Sequence, residues 1–282
     1  MLARIVSPGD QAPLTFSAEV AAVYVDVFVT SRDRPVSGLR ADDFEITDDG
    51  VRQSATLAQA ETVPVAALLL FDTSGSVKGQ RLRDLKAAGH AFADGLSPRD
   101  EAALLAFSDQ LNLLARPTSA RAPLHLALDR MAPGGATTLY DALYLAIKLP
   151  LGQGRPLIVL FTDGEDNLSW LGREDVREAS LQSNAVLYVV AAGAPDAPEA
   201  AFLRETAEGT GGRFWNATGG AQLTERLLQV LQAMSTRYVL TYEPQGVSRG
   251  GRHQLKVTVK GRKVDVRHRR EYLVAVAPPG KP

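Results

Sequence analysis

Apolar residues follow two rhythms along this chain. Between Pro64 and about Ser235, continuous apolar runs alternate with stretches in which apolar residues recur every three or four positions. Val65-Ala-Ala-Leu-Leu-Leu-Phe71, Leu157-Ile-Val-Leu-Phe161 and Ala185 to Ala191 are such runs. They are too uniform for half-exposed strands and too short to cross a membrane, which predicts strands covered on both faces. Glu101 to Phe107 reads as a further strand, with Gln110 to Arg116 as its hairpin edge, and Gly212 to Trp215 as a short one. Leu82, Leu85, Ala88, Ala91, Phe92 and Leu96 have helical spacing and predict an amphipathic helix over about 79–96. Further helices are expected near 121–131, 139–149, 174–183, 198–208 and 221–235. Strand and helix in alternation demand a mostly parallel sheet with helices on both faces, a doubly wound α/β unit.

Outside this stretch the pattern has a period of two. Val23, Val25, Val27 and Val29 alternate with Tyr24, Asp26, Phe28 and Thr30, which predicts a strand with one buried face. Phe44 to Thr47 and Val51 to Leu57 flank Asp48-Asp49-Gly50, a hairpin signal, with an irregular segment over 39–44 before it. After Ser235 come Arg237 to Tyr242, then Leu255, Val257 and Val259 alternating with polar residues, then Val264 and Val266. Neither set has enough strands to be stable alone. The expectation is that they complete one smaller antiparallel β-sandwich into which the α/β unit is inserted. The expected divisions are a Pro-rich, loosely held segment 1–15, sandwich halves 16–61 and 236–275, the inserted domain 62–235 and a tail 276–282.

The chemistry concentrates where the first buried run stops. Asp72-Thr73-Ser74-Gly75-Ser76 follows Phe71 directly, at the strand end where open α/β sheets bind ligands. On a turning loop, Asp72, Ser74 and Ser76 can converge three oxygens while Gly75 lets the backbone bend. One carboxylate among hard oxygen donors suits Mg²⁺ or Mn²⁺. Each residue also has a plain structural reading: Ser74 as a helix cap and Asp163-Gly164 as a turn. Those readings leave unexplained two buried strands that each end in Asp, with a Gly-Gly-x-Thr loop between them.

Asp72-x-Ser74-x-Ser76 after a buried strand resembles the opening of the metal-ion-dependent adhesion site of von Willebrand factor A (VWA) domains. Gly134-Gly135-Ala136-Thr137-Thr138-Leu139-Tyr140-Asp141 is similar to the family's threonine loop, and Phe161-Thr162-Asp163-Gly164-Glu165 to its second metal strand. The flanks, among them Val-Ser-Gly-Leu-x-Ala-Asp-Asp-Phe-Glu-Ile and Tyr-Val-Leu-Thr-Tyr-Glu-Pro, resemble the bacterial "VWFA-related" proteins common in Acidobacteria. With them the resemblance covers nearly the whole chain. It implies a Rossmann-like domain in which Ser74, Ser76 and Thr137 contact Mg²⁺ or Mn²⁺ directly and Asp72 and Asp163 directly or through water. Thr138 stays open as the alternative threonine; the commoner Thr-x-Leu-Tyr-Asp register points to Thr137.

Composition narrows the rest. The chain has 282 residues, 45% of them hydrophobic, a net charge of −1 and no cysteine, which excludes disulfides and thiolate metal sites. No apolar run approaches the roughly 20 residues of a membrane helix. Met1 to Pro13 lacks the apolar core of a signal peptide. Export with the leader removed and a cytoplasmic location both fit. Residues 249–271 carry nine Lys and Arg against two acidic residues, read as outward charges that block edge pairing and not as a nucleic-acid surface. His90, His125, His253 and His268 show no partner at ligand spacing and are read as surface or packing residues. Asn167-Leu-Ser169 and Asn216-Ala-Thr218 match a glycosylation pattern that matters only on a eukaryotic secretory route.

Two other metal readings fail on the residues. A haloacid-dehalogenase-type phosphatase needs a carboxylate where Ser74 stands, and an EF-hand begun at Asp163 has Leu168 where its turn needs Gly. The expected function is therefore binding and not catalysis, with a partner Asp or Glu completing the coordination of the cation. The alternative is a metal-dependent hydrolase using the same oxygens, for which Asp141, Glu165 and Asp166 are the candidate bases.

Overall fold

The computed structural model describes residues 22–58, 63–152, 154–163, 165–192 and 198–274. The expected segment 1–15, the tail 276–282, the linker residues 59–62 and Gly164 lie outside the described residues. The N-terminal part contains β1 (Val23–Ser31), β2 (Arg34–Pro35), a 3-10 turn (Ala41–Asp43), β3 (Phe44–Asp48), β4 (Val51–Gln53) and β5 (Ala55–Ala58). There follow β6 (Val65–Asp72), α1 (Gln80–Gly95), β7 (Glu101–Phe107), β8 (Leu111–Thr118), α2 (Arg121–Arg130) and α3 (Leu139–Lys148). Next come β9 (Arg155–Thr162), α4 (Arg173–Gln182), β10 (Val186–Ala191), α5 (Pro198–Gly209), β11 (Arg213–Asn216) and α6 (Gly220–Ser235). The last described elements are β12 (Tyr238–Tyr242), β13 (Gly251–Val259), β14 (Asp265–Arg267) and β15 (Glu271–Val274).

The central strands form one sheet in the order β11-β10-β9-β6-β7-β8, parallel except for β8. All eight residues of β6 are buried because helices cover both faces. Ala67, Leu69 and Phe71 join a core with Leu85 and Phe92 of α1, Leu124 of α2 and Leu227 of α6. Ala66, Leu68 and Leu70 join a second core with Leu139 and Leu143 of α3 and Leu203 of α5. Full burial of each such leucine contributes about 1.5–3 kcal/mol, so the strands that carry the candidate site are firmly held.

Strands from both ends of the chain meet in two smaller sheets. One runs β14-β1-β12-β5 with β2 attached to β1, the other β15-β13-β3-β4. Between them Val25, Val27, Val29, Phe44, Ile46, Leu240, Leu255 and Val257 bury together. The expected strand over 51–57 breaks at Ser54, because β4 pairs with β3 in one sheet while β5 pairs with β12 in the other. The expectation of one buried face on β1 also needs correction. Phe28, on the second face, is buried in the core of the central sheet, and Thr30 is buried too. That face lies against the α/β unit, where Asp26 accepts hydrogen bonds from Arg155 and Arg237.

Candidate metal centre

The site is assembled at the C-terminal ends of β6 and β9. Their parallel register sets Phe71 opposite Phe161, so Asp72 and Thr162 emerge side by side, and the Thr162 hydroxyl donates to Asp72 Oδ2 at 2.8 Å. Asp72 Oδ1 accepts the Ser74 N–H at 2.9 Å, an Asx turn that folds the loop back over its own strand end. The turn leaves the Ser74 and Ser76 hydroxyls 3.1 Å apart.

A second loop is fastened to the first. Gly134 N–H donates to the Thr73 carbonyl at 2.8 Å, and Gly75 N–H to the Gly135 carbonyl at 3.0 Å. Gly135 has φ +79°, a backbone conformation that glycine adopts without strain, and a Cβ there would also fall 2.1 Å from Asp109 Oδ1. Thr137, two residues on, is held by its backbone. Its N–H donates to Asn167 Oδ1 at 2.8 Å, and its carbonyl accepts from Asn167 and Leu168, both at 3.1 Å. The Thr138 hydroxyl is engaged with the Ser108 carbonyl at 2.7 Å.

The charges in this region are poorly compensated. Asp72 is fully buried. Burial pushes its carboxyl above the ordinary 3.8; the Ser74 hydrogen bonds oppose this, the Asp163 charge adds to it and the Thr162 bond opposes it again. Asp163 Oδ1 is buried and has no hydrogen-bond partner among the described residues. Its other oxygen lies 3.9 Å from Nη1 of the half-exposed Arg81. Two neighbouring carboxylates, one with an orphaned buried oxygen, and the hydroxyls of Ser74 and Ser76 make an oxygen-only donor set that fits a hard divalent cation.

Two of the three other acidic candidates have structural partners. Asp166 Oδ1 accepts the Leu139 N–H at 2.8 Å and the Ser169 hydroxyl at 2.5 Å, satisfying a backbone N–H at the buried N-terminus of α3 that has no partner within the helix. Asp141 accepts the backbone N–H groups of Trp170 and Leu171 at 3.1 and 2.8 Å. Glu165 is exposed. A cavity of about 460 Å³ lies between α4, α5 and Arg269 to Glu271, and none of the five candidate ligands lines it.

The histidines depart from the sequence reading. His253 Nδ1 lies 3.0 Å from buried Asp48 and 3.2 Å from Asp49, a group of three potential ligands whose atoms lie within 4.8 Å of one another. Asp48 Oδ2 already accepts the Tyr242 and Tyr272 hydroxyls, so this buried network is satisfied by its own donors apart from His253 Nε2. His90 and His125 meet across two helices, each with an Asp partner. Sequence reasoning missed both groups because their members are 35 and 205 residues apart.

Residues 67–165 match the family model described as von Willebrand factor type A domain. A UPF0353 protein of Mycolicibacterium paratuberculosis is 31% identical over 116 residues, which cover 36% of this chain and 35% of that relative's length. Among solved structures, a von Willebrand factor type A protein from Catenulispora acidiphila aligns with TM-score 0.54 and 14% identity over 87% of this chain and 75% of its own. An aerotolerance-related membrane protein from Bacteroides fragilis aligns with TM-score 0.50 and 19% identity over 60% of this chain and 98% of its own. At these identities the structural matches establish the fold.

Proposed function

We propose that this chain, whose central unit is a von Willebrand factor type A domain, is a non-enzymatic binding module that captures a partner's acidic side chain through a divalent cation. The residues that would hold the cation are Asp72, Ser74, Ser76, Thr137 and Asp163. The observation that carries this reading is the orphaned, buried Oδ1 of Asp163 beside the fully buried Asp72. An uncompensated buried charge costs several kcal/mol, and a divalent cation offsets both carboxylates together. Mg²⁺ or Mn²⁺ bound there would offer an open position to a carboxylate from outside. Thr137 is preferred over Thr138 because the Thr138 hydroxyl is engaged with Ser108.

The surroundings favour a macromolecular partner over a small substrate. Asp141 and Asp166, two of the three candidate bases for hydrolysis, are occupied in holding loop backbone. Trp170 is 96% exposed on the loop that fastens Thr137 and Asp141, and exposed tryptophans are frequent anchors in protein interfaces. No helix among the described residues is long and apolar enough to cross a membrane. The mixed origin of the two smaller sheets supports reading segments 16–61 and 236–275 as one β-sandwich into which 62–235 is inserted.

The test uses immobilised peptides that each present a single Asp or Glu, probed with the full chain in Mn²⁺ and in EDTA. Retention should require the metal, fall with Thr137→Ala and fall when the peptide Asp becomes Asn. Retention unchanged in EDTA, or Mn²⁺-dependent phosphoester turnover lost in Glu165→Gln, would overturn the proposal.

A further inference from the structure

Helices α1 and α2 carry the same short pattern. His90 precedes Asp94 by four residues on α1, and His125 precedes Asp129 by four on α2. Residues four apart share a helix face, and the two faces meet in a reciprocal arrangement. His90 Nε2 lies 3.0 Å from Asp129 Oδ1, His125 Nε2 lies 3.0 Å from Asp94 Oδ1, and the two Nδ1 atoms lie 2.6 Å apart. The ring planes are within 15° of parallel and the centroids 4.8 Å apart, so the rings meet nitrogen to nitrogen, nearly in one plane. Gly89 permits this approach, since a Cβ there would come within 2.5 Å of Leu128 on α2.

A count of hydrogens shows that something is missing from this chain of contacts. Three contacts, Asp129 to His90, His90 to His125 and His125 to Asp94, need three shared hydrogens. Two neutral imidazoles bring two. With both Nε2–H groups given to the carboxylates, which are about two-thirds exposed, the two Nδ1 lone pairs face each other with nothing between them. Any other neutral tautomer moves the same conflict to a carboxylate. One additional positive centre, a proton or a metal ion, resolves it.

We propose that His90 and His125 form a binding site for a late transition-metal dication of the Zn²⁺ class, separate from the Asp72 cluster. Imidazole nitrogen suits Zn²⁺, Cu²⁺ and Ni²⁺, not Mg²⁺. Histidines that bind metal through one nitrogen commonly donate the other N–H to a carboxylate, which fixes tautomer and ring orientation, and Asp129 and Asp94 serve in that way. Two nitrogens about 2.0–2.1 Å from one tetrahedral ion stand roughly 3.3 Å apart. The nitrogens therefore need to part by less than about 1 Å, and the nearly coplanar rings to turn so that both lone pairs meet at one ion, which partly exposed side chains can do. The carboxylates of Asp94 and Asp129 face the two rings, while Lys86 Nζ donates to the Asp129 carbonyl at 2.7 Å. Asp94 and Asp129 are positioning residues, and the ligands are the two Nδ1 atoms.

The experiment titrates Zn²⁺ calorimetrically into the EDTA-treated and dialysed full chain. Wild type and Asp72→Ala should each take up Zn²⁺ at this site, and the His90→Asn/His125→Asn double variant should lose that equivalent. Asp129→Asn should bind about tenfold more weakly. On wild type alone, the imidazole resonances of His90 and His125 should shift with Zn²⁺ and not with Mg²⁺. An equal Zn²⁺ stoichiometry in the double variant would overturn the proposal. So would wild-type imidazole resonances that respond only to pH, since a shared proton would then be the whole account.

Discussion

Nε of Arg237, the residue that leads from α6 into β12, lies 3.2 Å from Oδ1 of Asp26 on β1. The same guanidinium donates to the Tyr188 hydroxyl at 3.2 Å and to the Gly211 carbonyl at 2.9 Å. One side chain, 1% exposed, thus ties the small sheets to the central one. Removing one partner of a buried ion pair costs up to about 3–5 kcal/mol, an upper bound here because Asp26 keeps Arg155 at 3.3 Å. Arg237→Met should therefore lower urea stability by up to that amount while leaving a single transition. A loss below about 1 kcal/mol would show that the junction is unimportant. The fragment 62–236 should fold with a lower Tm than the full chain, because it lacks Phe28 and leaves Arg155 without Asp26.

Asp72 illustrates a site residue that weakens the fold. Its carboxyl is raised above 3.8 by burial, so the folded state holds its proton more tightly than the unfolded one. Stability from this group is highest at low pH and declines as pH rises from about 3.8 through the raised folded value. Above the raised folded value the penalty is fully present. Asp72→Asn should accordingly have a higher Tm than wild type when both are metal-free, and should show no further rise on adding Mg²⁺. A metal-free variant with a lower Tm would contradict this.

His268 has the opposite sign. Its Nε2 accepts the Val257 N–H at 3.1 Å and its Nδ1 donates to the Arg269 carbonyl at 2.6 Å, a pairing that requires the neutral ring. Burial lowers its pKa below 6.5; the Arg269 backbone opposes this, and the charges of Arg270 and Arg237 add to it. The unfolded chain therefore takes up a proton first. Stability is full above about pH 6.5 and falls as pH drops from there towards the lowered folded value. Urea midpoints at pH 7.5 and 5.5 should differ less for His268→Gln than for wild type; equal differences would remove His268 as a source.

The legible parts of the sequence were those with local signatures. β6 and β9 could be read because seven and five apolar residues stop at or just before a carboxylate, and the hairpin at Asp48-Asp49-Gly50 because the turn chemistry is local. Thr137 had no signature apart from the family resemblance. Its position follows from backbone bonds to Asn167 and from the fastening of Gly134 and Gly135 to Thr73 and Gly75, none of which a spacing rule can show. Asp26 read as a solvated residue on an alternating strand, since nothing in β1 reveals that the α/β unit covers its second face. The meeting of His90 with His125 was missed for a similar reason. Its one sequence signal is the repeated His-x-x-x-Asp spacing, which gains meaning once α1 and α2 are packed side by side.

Trp170 should separate binding from folding. Its ring is almost wholly exposed while its backbone N–H is held by Asp141, so Trp170→Ala should leave stability within about 0.5 kcal/mol of wild type. Anchor residues in interfaces cost about 2 kcal/mol or more on truncation. Retention of the carboxylate-bearing partner should therefore weaken by at least roughly tenfold, measured by surface plasmon resonance in Mn²⁺. Unchanged retention would place the contact surface away from this loop.

The central claim is that a divalent cation is held by Asp72, Ser74, Ser76, Thr137 and Asp163. Calorimetric titration of Mg²⁺ and then Mn²⁺ into the EDTA-treated full chain, repeated on Asp72→Ala, tests it most directly. The account predicts saturable binding of about one equivalent to wild type and none to the variant at this site, with both proteins folded by circular dichroism. Equal affinity in the two proteins, or no binding to either, would contradict it.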